Sequence, residues 1–372
     1  MISAVTEQNL QIPFVDFKRR FAILADEISH EINHVLASGS YILGQYVEEF
    51  EHTVAQFLRC KYVLGVANGT DALILALKVL NIGQGDEVIV PVNSFVATAG
   101  AVAAVNAKPV FCDVERDLNI DVNKLDMLIT KKTKAIIPVH LTGRPAKMDE
   151  ILQIAKQYSL AVIEDAAQSI GATYKGQMTG TMGTLGCFSL HPLKNLHVYG
   201  DGGLIATNDD ELYDKLKLMR NHGLIDRDTC KYWGLNSRLD SVQARIGMVG
   251  MRHLTAWNER RRQIAEKYQN ELKHLLDVPI DQEECVSVYH NFVVLTESRN
   301  RLMRSLLEQG IETKIHYPIP LHLQPAAQGL DYKEGDFPMA EKLSRQMLSL
   351  PIFPELNDRE VNKVIKIICA LL

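Results

Sequence analysis

Short apolar runs alternate with helix-period segments between about residues 60 and 220, and this alternation restricts the chain to few folds. Strands and helices that follow one another in this way form a mostly parallel sheet with helices on both faces. The predicted strands are 62–66, 87–91, 109–113, 135–140, 161–165, 186–190 and 204–207. Apolar residues at helical spacing follow several of them, for example over 71–80 and 146–158.

The pattern changes after residue 236. Apolar residues at helical spacing begin at Leu239 and predict a long helix that runs towards Leu276. A smaller α+β region follows, with a strand predicted at 290–295 and helices near 299–309 and 339–348. We therefore predict two units: residues 1–250, an N-terminal segment with the large domain, and residues 251–372, a small C-terminal domain.

Composition excludes several classes of function. The net charge of −5 argues against a general nucleic-acid binder, which carries a basic excess. The longest apolar run, residues 95–105, falls short of the roughly 20 residues of a membrane span. Six scattered cysteines without a CxxC pair indicate neither a zinc site nor a disulfide framework. Because residues 1–8 also lack a signal-peptide pattern, we expect a soluble cytoplasmic protein without a metal, a nucleic-acid partner or a membrane partner.

Two residues with reactive side chains follow predicted strands, where ligands bind in open α/β sheets. Lys194 comes just after an apolar strand, and a lysine amine can condense with an aldehyde once burial and nearby cations lower its pKa. Asp165 closes another strand and could pair with a protonated pyridine nitrogen, or it could simply cap a turn. Glu164 competes for this role, but strand alternation points it to the opposite face.

A glycine, Gly69, and a capping Thr70 or Asp71 lead directly into an apolar helix. The free N–H groups at such a helix start suit a phosphate, although an ordinary helix cap has the same pattern. Ser189 could add a hydroxyl, and Phe95 could cover a flat ring unless it belongs to the core. An amine, a carboxylate, an anion cradle and an apolar ring face are what pyridoxal phosphate requires of a protein.

Four ordered motifs together resemble the DegT/DnrJ/EryC1/StrS family of sugar aminotransferases. They are Asn-Gly-Thr-Asp at 68–71, Glu-Asp-Ala-Ala-Gln-Ser at 164–169, Phe-Ser-Leu-His-Pro-Leu-Lys-Asn-Leu at 188–196 and Gly-Asp-Gly-Gly at 200–203. The resemblance extends over nearly the whole chain, from Ile12 through residues 234–240 to His322.

The resemblance implies an aspartate aminotransferase-like fold (pyridoxal-phosphate fold type I). It would combine a large domain, built on a mostly parallel seven-stranded sheet, with a smaller C-terminal α+β domain. The family works as a homodimer with sites at the interface. The matching positions are Lys194 for the covalent lysine, Asp165 for the ring nitrogen, Gln168 for the ring hydroxyl, Phe95 for stacking, Gly69, Thr70, Asp71 and Ser189 for the phosphate, Asn236 for a phosphate contact from the other subunit, and His316, Tyr317 and His322 for the substrate pocket.

The expected activity is transfer of an amino group from an amino acid, glutamate in the first instance, to a keto group of a nucleotide-linked sugar. Lys194 would shuttle the proton, with His191 as a candidate helper. Related sugar dehydratases carry histidine at the lysine position, so Lys194 favours transamination over that alternative. A non-catalytic regulatory or sensor protein on the same fold is the other alternative. His191 is typical of family members that aminate C4 of a hexose, whereas residues 200–203 are typical of those that aminate C3. The position of the aminated carbon therefore stays open. The acceptor could also be a keto-cyclitol.

Overall fold

The computed structural model describes residues 11–282 and 284–372, so the prediction for residues 1–8 lies outside the described part. Its helices are α1 Phe17–Ser38, α2 Gln45–Leu58, α3 Gly69–Val79, α4 Val96–Ala104, α5 Leu125–Leu128, α6 Met148–Tyr158, α7 Asp210–Met219, α8 Ser241–Leu272, α9 Arg299–Glu308, α10 Pro338–Gln346 and α11 Asp358–Leu371. Within these ranges no helix is both long and apolar enough to cross a membrane.

The strands form one large sheet and two small ones. They are β1 Tyr62–Val66, β2 Glu87–Pro91, β3 Lys108–Cys112, β4 Thr133–Ile136, β5 Ala161–Asp165, β6 Thr173–Tyr174, β7 Gln177–Met178, β8 Leu185–Ser189, β9 Gly203–Thr207, β10 Cys285–Val286, β11 Phe292–Leu295 and β12 Met347–Leu350. The large sheet has seven strands in the order β1-β9-β8-β5-β4-β2-β3. Five adjacent strands run parallel, and β9 pairs antiparallel with both β8 and β1. The predicted mostly parallel seven-stranded sheet is confirmed.

Several element boundaries differ from the sequence predictions by one to four residues, and two of these differences have a clear physical reason. The strand predicted over 135–140 ends at Ile136, and Pro138 just beyond it has no N–H to donate to a ladder. The helix predicted over 339–348 ends at Gln346, because the chain then turns extended and Met347 pairs with Leu295 in the β11–β12 sheet.

The long helix α8 joins two hydrophobic cores. Its first half contributes Val249 and Leu254 to a core shared with α1 and α2, and its second half contributes Tyr268 and Leu272 to a C-terminal core. Ile12 also packs in the C-terminal core, where its backbone bridges to that of Ile311. The sequence prediction groups the N-terminal segment with the large domain, but this residue of the segment contacts the C-terminal core. The boundary near residue 250 remains a prediction, and it falls inside α8.

Candidate functional site

Lys194 lies in the connection between β8 and β9, at the carboxyl edge of the large sheet. The residue is half-buried, and its Nζ has no hydrogen-bond partner within the described ranges. Burial lowers the pKa of Lys194 to about 8, although the negative charge of Asp165 opposes the shift. An amine with this pKa is partly unprotonated near neutral pH, which is the state that attacks a carbonyl carbon.

Asp165 is the last residue of β5 and is almost fully buried. Its Oδ2 accepts a 2.8 Å hydrogen bond from the Thr98 hydroxyl, and its Oδ1 accepts one of 3.2 Å from the Ala167 N–H. Burial raises the pKa of Asp165, while these donors and Lys194 act in the opposite direction. Thr98 was missed by the sequence reasoning because a threonine inside a helical pattern carries no signal of its own.

Glu164 has a separate, structural role, as strand alternation predicts. Its two oxygens accept hydrogen bonds of 2.6–2.7 Å from three backbone N–H groups, those of Gly180, Met182 and Gly183. His140 donates a further bond through Nε2 at 2.9 Å, since its Nδ1 already accepts from Ala146. The carboxylate of Glu164 is therefore fully occupied, which leaves Asp165 as the carboxylate available to a ligand.

The start of α3 forms a close-packed cradle against β8 and β9. A Cβ added at Gly69 would lie 2.8 Å from the Cβ of Ser189, and one added at Gly203 would lie 2.4 Å from the carbonyl of Asn68. The helix cap is Asn68, whose side chain accepts from the Asp71 N–H at 2.8 Å, so the expectation of a Thr70 or Asp71 cap was wrong. Both of those residues lie in the first turn and are half-buried. The cradle has the shape and the free donors that a phosphate needs.

We expect Gly203→Ala to destabilise the protein by about 1–3 kcal/mol, because the added methyl group would meet backbone atoms that cannot move aside. It should also weaken phosphate binding by separating β9 from the start of α3. Urea unfolding measures the first effect, and inorganic phosphate titration measures the second. The matched control is Gly100→Ala in α4, where an added Cβ meets no atom within 4 Å and alanine should be neutral or stabilising. Equal stability of the two variants would contradict the prediction.

Gln168, Tyr317 and Phe95 meet on one side of this edge. The Gln168 Nε2 donates to the Tyr317 hydroxyl at 3.2 Å, while its Oε1 accepts from the Thr142 N–H at 2.7 Å. The rings of Tyr317 and Phe95 are 5.8 Å apart and tilted, and Phe95 is 54% exposed. The exposure of Phe95 contradicts its alternative interpretation as a core residue and leaves its ring available to a ligand.

The three predicted substrate-pocket residues do not all lie together. His316 is adjacent to Tyr317, and its Nδ1 is 2.8 Å from the Ser349 hydroxyl. His322 is fully enclosed: its Nε2 is 3.1 Å from Glu341, and its ring packs edge-on against Phe337. The structure therefore encloses His322 among buried residues, where a substrate cannot reach it without a rearrangement.

The positive charge of Lys194 lowers the pKa of three histidines. His191 is exposed, its Nδ1 accepts from the Leu193 N–H at 3.2 Å, and its pKa is lowered by partial burial and by the Lys194 charge. His316 has a pKa of about 4 because of burial and the same charge. His290, which the sequence reasoning missed, has a pKa held well below its usual value for the same two reasons. The sequence predicts it only as the first residue of a strand, and no motif marks it.

Asn236, the predicted contact to the phosphate of a second subunit, is exposed in the single chain. Its backbone pairs with that of Asn221, and the adjacent Ser237 accepts a 3.2 Å hydrogen bond from the Ala67 N–H, just before the cradle. The side chain of Asn236 is thus presented on the surface, next to an element of the site.

The residues present fit pyridoxal phosphate. Lys194 supplies an amine of lowered pKa, and Asp165 supplies a buried carboxylate with hydrogen-bonding capacity left on both oxygens. The cradle around Gly69 suits the phosphate, and Phe95 offers an accessible ring face. Each of the four requirements of this cofactor is met by a residue at the same edge of the sheet.

Comparison with known proteins agrees with this geometry. The chain is 43% identical over 362 residues to a pleiotropic regulatory protein of Geobacillus stearothermophilus, covering 96% of this chain and 97% of the relative. It is also 43% identical to a UDP-N-acetyl-3-dehydro-alpha-D-glucosamine 3-aminotransferase of Acidithiobacillus ferrooxidans, covering 97% and 98%. The crystal structure of DesV from S. venezuelae, in complex with a ketimine intermediate, superposes with a TM-score of 0.94 at 40% identity and covers 96% and 97%.

The model of one protein family matches residues 22–369, which is nearly all of the described chain. The match includes every motif from which the resemblance was inferred except the short segment before residue 22. The chain belongs to the DegT/DnrJ/EryC1/StrS aminotransferase family.

Proposed function

We propose that the protein is a pyridoxal-phosphate-dependent aminotransferase that transfers an amino group from an amino acid to the keto group of a nucleotide-linked sugar. The observation that carries this proposal is the placement of the Lys194 amine and the Asp165 carboxylate at one sheet edge, beside the cradle at the start of α3. Pyridoxal phosphate is the cofactor of this family of aminotransferases.

Each of the site residues has a separate role in the proposed reaction. When bound, the cofactor withdraws electrons from the carbon that carries the transferred amino group. Asp165 keeps a proton on the ring nitrogen, which requires the carboxylate to stay ionised when the ring is bound. Lys194 takes a proton from the reacting carbon and returns one, because its lowered pKa lets both protonation states form near neutral pH. Phe95 and Gln168, which both contact Tyr317, would hold the ring of the bound cofactor in place.

We further propose that the acceptor carries its keto group at C3. The support is the name of the Acidithiobacillus relative, whose substrate is a 3-dehydro sugar linked to UDP. In this chain the Gly-Asp-Gly-Gly segment at 200–203 is consistent with the same regiochemistry. Product analysis by NMR after incubation with 3-keto and 4-keto nucleotide sugars would decide between the two carbons. Amination of the 4-keto compound alone would refute the C3 assignment.

The experiment that tests the activity is an absorbance titration of the purified protein. With pyridoxal phosphate we expect a visible band from the cofactor joined to Lys194, and glutamate should convert it to the near-ultraviolet band of the aminated cofactor. Lys194→Ala serves as the control, because it should give neither the covalent band nor the conversion. Absence of the visible band in the unmodified protein would refute the proposed function, and a band unmoved by any amino acid would refute transamination.

A regulatory role is the second candidate, because the Geobacillus relative is named a pleiotropic regulatory protein. The same titration separates the two. A regulator without catalysis would bind the cofactor and release no 2-oxo acid, whereas an aminotransferase produces one 2-oxo acid for each cofactor aminated. The burial of Asp165 beside the amine of Lys194 favours catalysis, since a protonated ring nitrogen is needed for the transfer of the amino group rather than for binding alone.

We propose a cytoplasmic homodimer in which each site takes Asn236 from the other subunit. Several large apolar side chains on the surface support an interface: Phe17, Phe21, Tyr41, Ile42, Ile225 and Trp233, of which Trp233 is 90% exposed. Exposed apolar residues are common one by one, so the support lies in their number and in the nearly complete exposure of Trp233.

Mixing two inactive variants tests the shared site. Lys194→Ala and Asn236→Ala should each lose most activity at limiting cofactor. In a mixed dimer one site combines both substitutions and the other combines the intact Lys194 with the intact Asn236. We therefore expect activity to return on mixing and subunit exchange, as measured by 2-oxo acid formation. No recovery after exchange, with mixed dimers verified by native mass spectrometry, would show that each site lies within one chain.

A further inference from the structure

Two buried hydroxyl groups form an unbranched hydrogen-bond chain that ends at Asp165. The Ser94 Oγ lies 2.7 Å from the Thr98 Oγ1, which in turn lies 2.8 Å from the Asp165 Oδ2. Ser94 is 3% exposed and Thr98 is fully buried, and neither hydroxyl has a further hydrogen-bond partner among residues 11–282 and 284–372. The chain therefore serves the carboxyl group of Asp165.

The charge of Asp165 determines the direction of both hydrogen bonds. An ionised carboxylate only accepts, and a hydroxyl has one hydrogen to donate. When Asp165 is ionised, Thr98 must therefore donate to it, and Ser94 must donate to Thr98. When Asp165 is protonated on Oδ2, the carboxyl can be the donor, and both hydroxyls turn the other way. The Asp165 Oδ1 accepts from the Ala167 N–H at 3.2 Å in either state.

The start of α4 holds both hydroxyls in place. Ser94 comes two residues before this helix, and Thr98 lies in its first turn. A threonine inside a helix often gives its hydrogen to the carbonyl four residues earlier. Here that carbonyl belongs to Ser94, and Thr98 bonds to Asp165 instead. The Ser94 hydroxyl makes Thr98 a stronger donor to the carboxylate, since hydrogen bonds in a chain polarise one another.

The chain opposes the effect of burial on Asp165. Burial raises the pKa of this carboxyl group, and the hydrogen bond from Thr98 is the largest of the effects that lower it. Other ionisable groups face Asp165 from several elements, and they are Lys194, His140, Cys187 and Tyr317. Thr98 differs from these groups because it touches the carboxylate directly.

We propose that Ser94 and Thr98 are positioning residues for the cofactor ring: together they hold Asp165 as an ionised and oriented carboxylate. The inference rests on the proposed pairing of Asp165 with the ring nitrogen. Each carboxylate oxygen takes one internal hydrogen bond, from Thr98 or from Ala167, and keeps a second lone pair for a ligand. The ring nitrogen therefore meets an acceptor that is already in place when the ring binds.

Four substitutions separate the parts of the chain. Thr98→Val has nearly the same shape and removes the donor to Asp165. Thr98→Ser keeps the hydroxyl and is the conservative variant. Ser94→Ala leaves Thr98 in place and removes the group that polarises it. The control is Thr53→Val in α2, where the threonine hydroxyl bonds to the carbonyl of Glu49 at 2.8 Å. Thermal unfolding of each variant verifies the fold, and Ser94→Ala tests the proposal even if Thr98→Val does not fold.

The first measurement uses the full-length protein without cofactor, labelled with ¹³C in the aspartate carboxyl groups. The Asp165 signal is assigned from its loss in Asp165→Asn, and its chemical shift is followed across pH. Thr98→Val should raise the pKa of Asp165 by about one unit, because a hydrogen bond to a charged group is lost. Ser94→Ala should raise it by a smaller amount, and Thr98→Ser and Thr53→Val should leave it close to that of the unmodified protein.

A double variant tests whether Ser94 acts through Thr98. If it does, Ser94→Ala has no further effect on the pKa of Asp165 once Thr98→Val is present. The second measurement follows the ¹⁵N signal of the ring in protein loaded with ¹⁵N-labelled pyridoxal phosphate. A carboxylate that binds its proton more tightly draws that proton away from the ring nitrogen. Thr98→Val should therefore shift the signal towards that of an unprotonated pyridine, and Thr98→Ser should not.

An unchanged pKa of Asp165 in Thr98→Val would overturn the proposal, and so would an equal increase in Thr53→Val. An additive effect in the double variant would remove Ser94 from the chain, and an unmoved ring signal would remove the role towards the cofactor. Failure of the proposed function is visible separately. In that case the unmodified protein would give no visible band with pyridoxal phosphate, while the carboxyl titration of the cofactor-free protein would still report on the two hydroxyls.

Discussion

Replacing Lys194 with alanine is expected to reduce transamination by about 10⁴-fold, the upper range for a positioned proton-transfer group. The variant loses both the covalent attachment of the cofactor and the amine of pKa about 8 that moves the proton. The variant can still bind the cofactor through the phosphate cradle alone. The loss of activity should therefore appear in the rate of the single-turnover reaction with glutamate, and not only in the amount of bound cofactor. Stopped-flow absorbance measures that rate directly.

The control for this prediction is Lys156→Ala, an exposed lysine on α6 at which alanine preserves the helix. It should leave the rate unchanged. Addition of a small primary amine such as ethylamine should partly restore turnover to Lys194→Ala, because the missing group is an unprotonated amine. Substantial transamination by Lys194→Ala without added amine would remove Lys194 from its assigned role.

Asp165→Asn should reduce the rate by about 10²–10³-fold, as expected when one buried electrostatic partner is neutralised. At the same time the cofactor-free protein should become more stable at neutral pH. Burial raises the pKa of Asp165 in the folded protein above the ordinary value of about 3.9. The folded state is therefore most stable below that value, where the acid is protonated, and its stability falls as the pH rises through the raised pKa. The neutral amide removes that dependence.

These two effects are measured on the same preparation, as a single-turnover rate and as a thermal midpoint across pH. Asp126→Asn, an exposed acid on α5, should alter neither. A variant that loses activity and also loses stability would indicate that the carboxylate is needed for the fold, which would contradict its assignment to the ring nitrogen. We expect Asp165→Asn to lower the rate and to raise the stability of the cofactor-free protein. Such opposite effects are typical of residues that destabilise the fold but are required for function.

The sequence was informative where the chemistry is local. Lys194, Asp165 and the start of α3 all follow strands whose apolar patterns are continuous, so their position at the carboxyl edge could be predicted from the alternation alone. The separation of Glu164 from Asp165 followed from the two-residue period of a strand. Both are properties of a few consecutive residues.

Other features depend on contacts between distant segments. Thr98 supports Asp165 across 67 positions of the chain, and His290 reaches the site through Asn195, 95 positions away. His322 matched a family position, yet its pairing with Glu341 encloses it. No periodicity or local motif encodes such contacts, because they are set by how the C-terminal segments pack against the large sheet.

The helix α8 has a consequence for recombination between relatives. At about 1.5 Å per residue its 32 residues extend roughly 48 Å, and its two halves are integral to different cores. A chimera joined at residue 250 would leave Val249 in the first core and Tyr268 and Leu272 beside their C-terminal neighbours, but it would replace Leu254 in the first core. It would also separate Ile12 from Ile311, because these two residues lie on opposite sides of the junction. An exchange between homologues should therefore keep α8 as far as Leu254 with the large domain and transfer Ile12 together with the C-terminal segment.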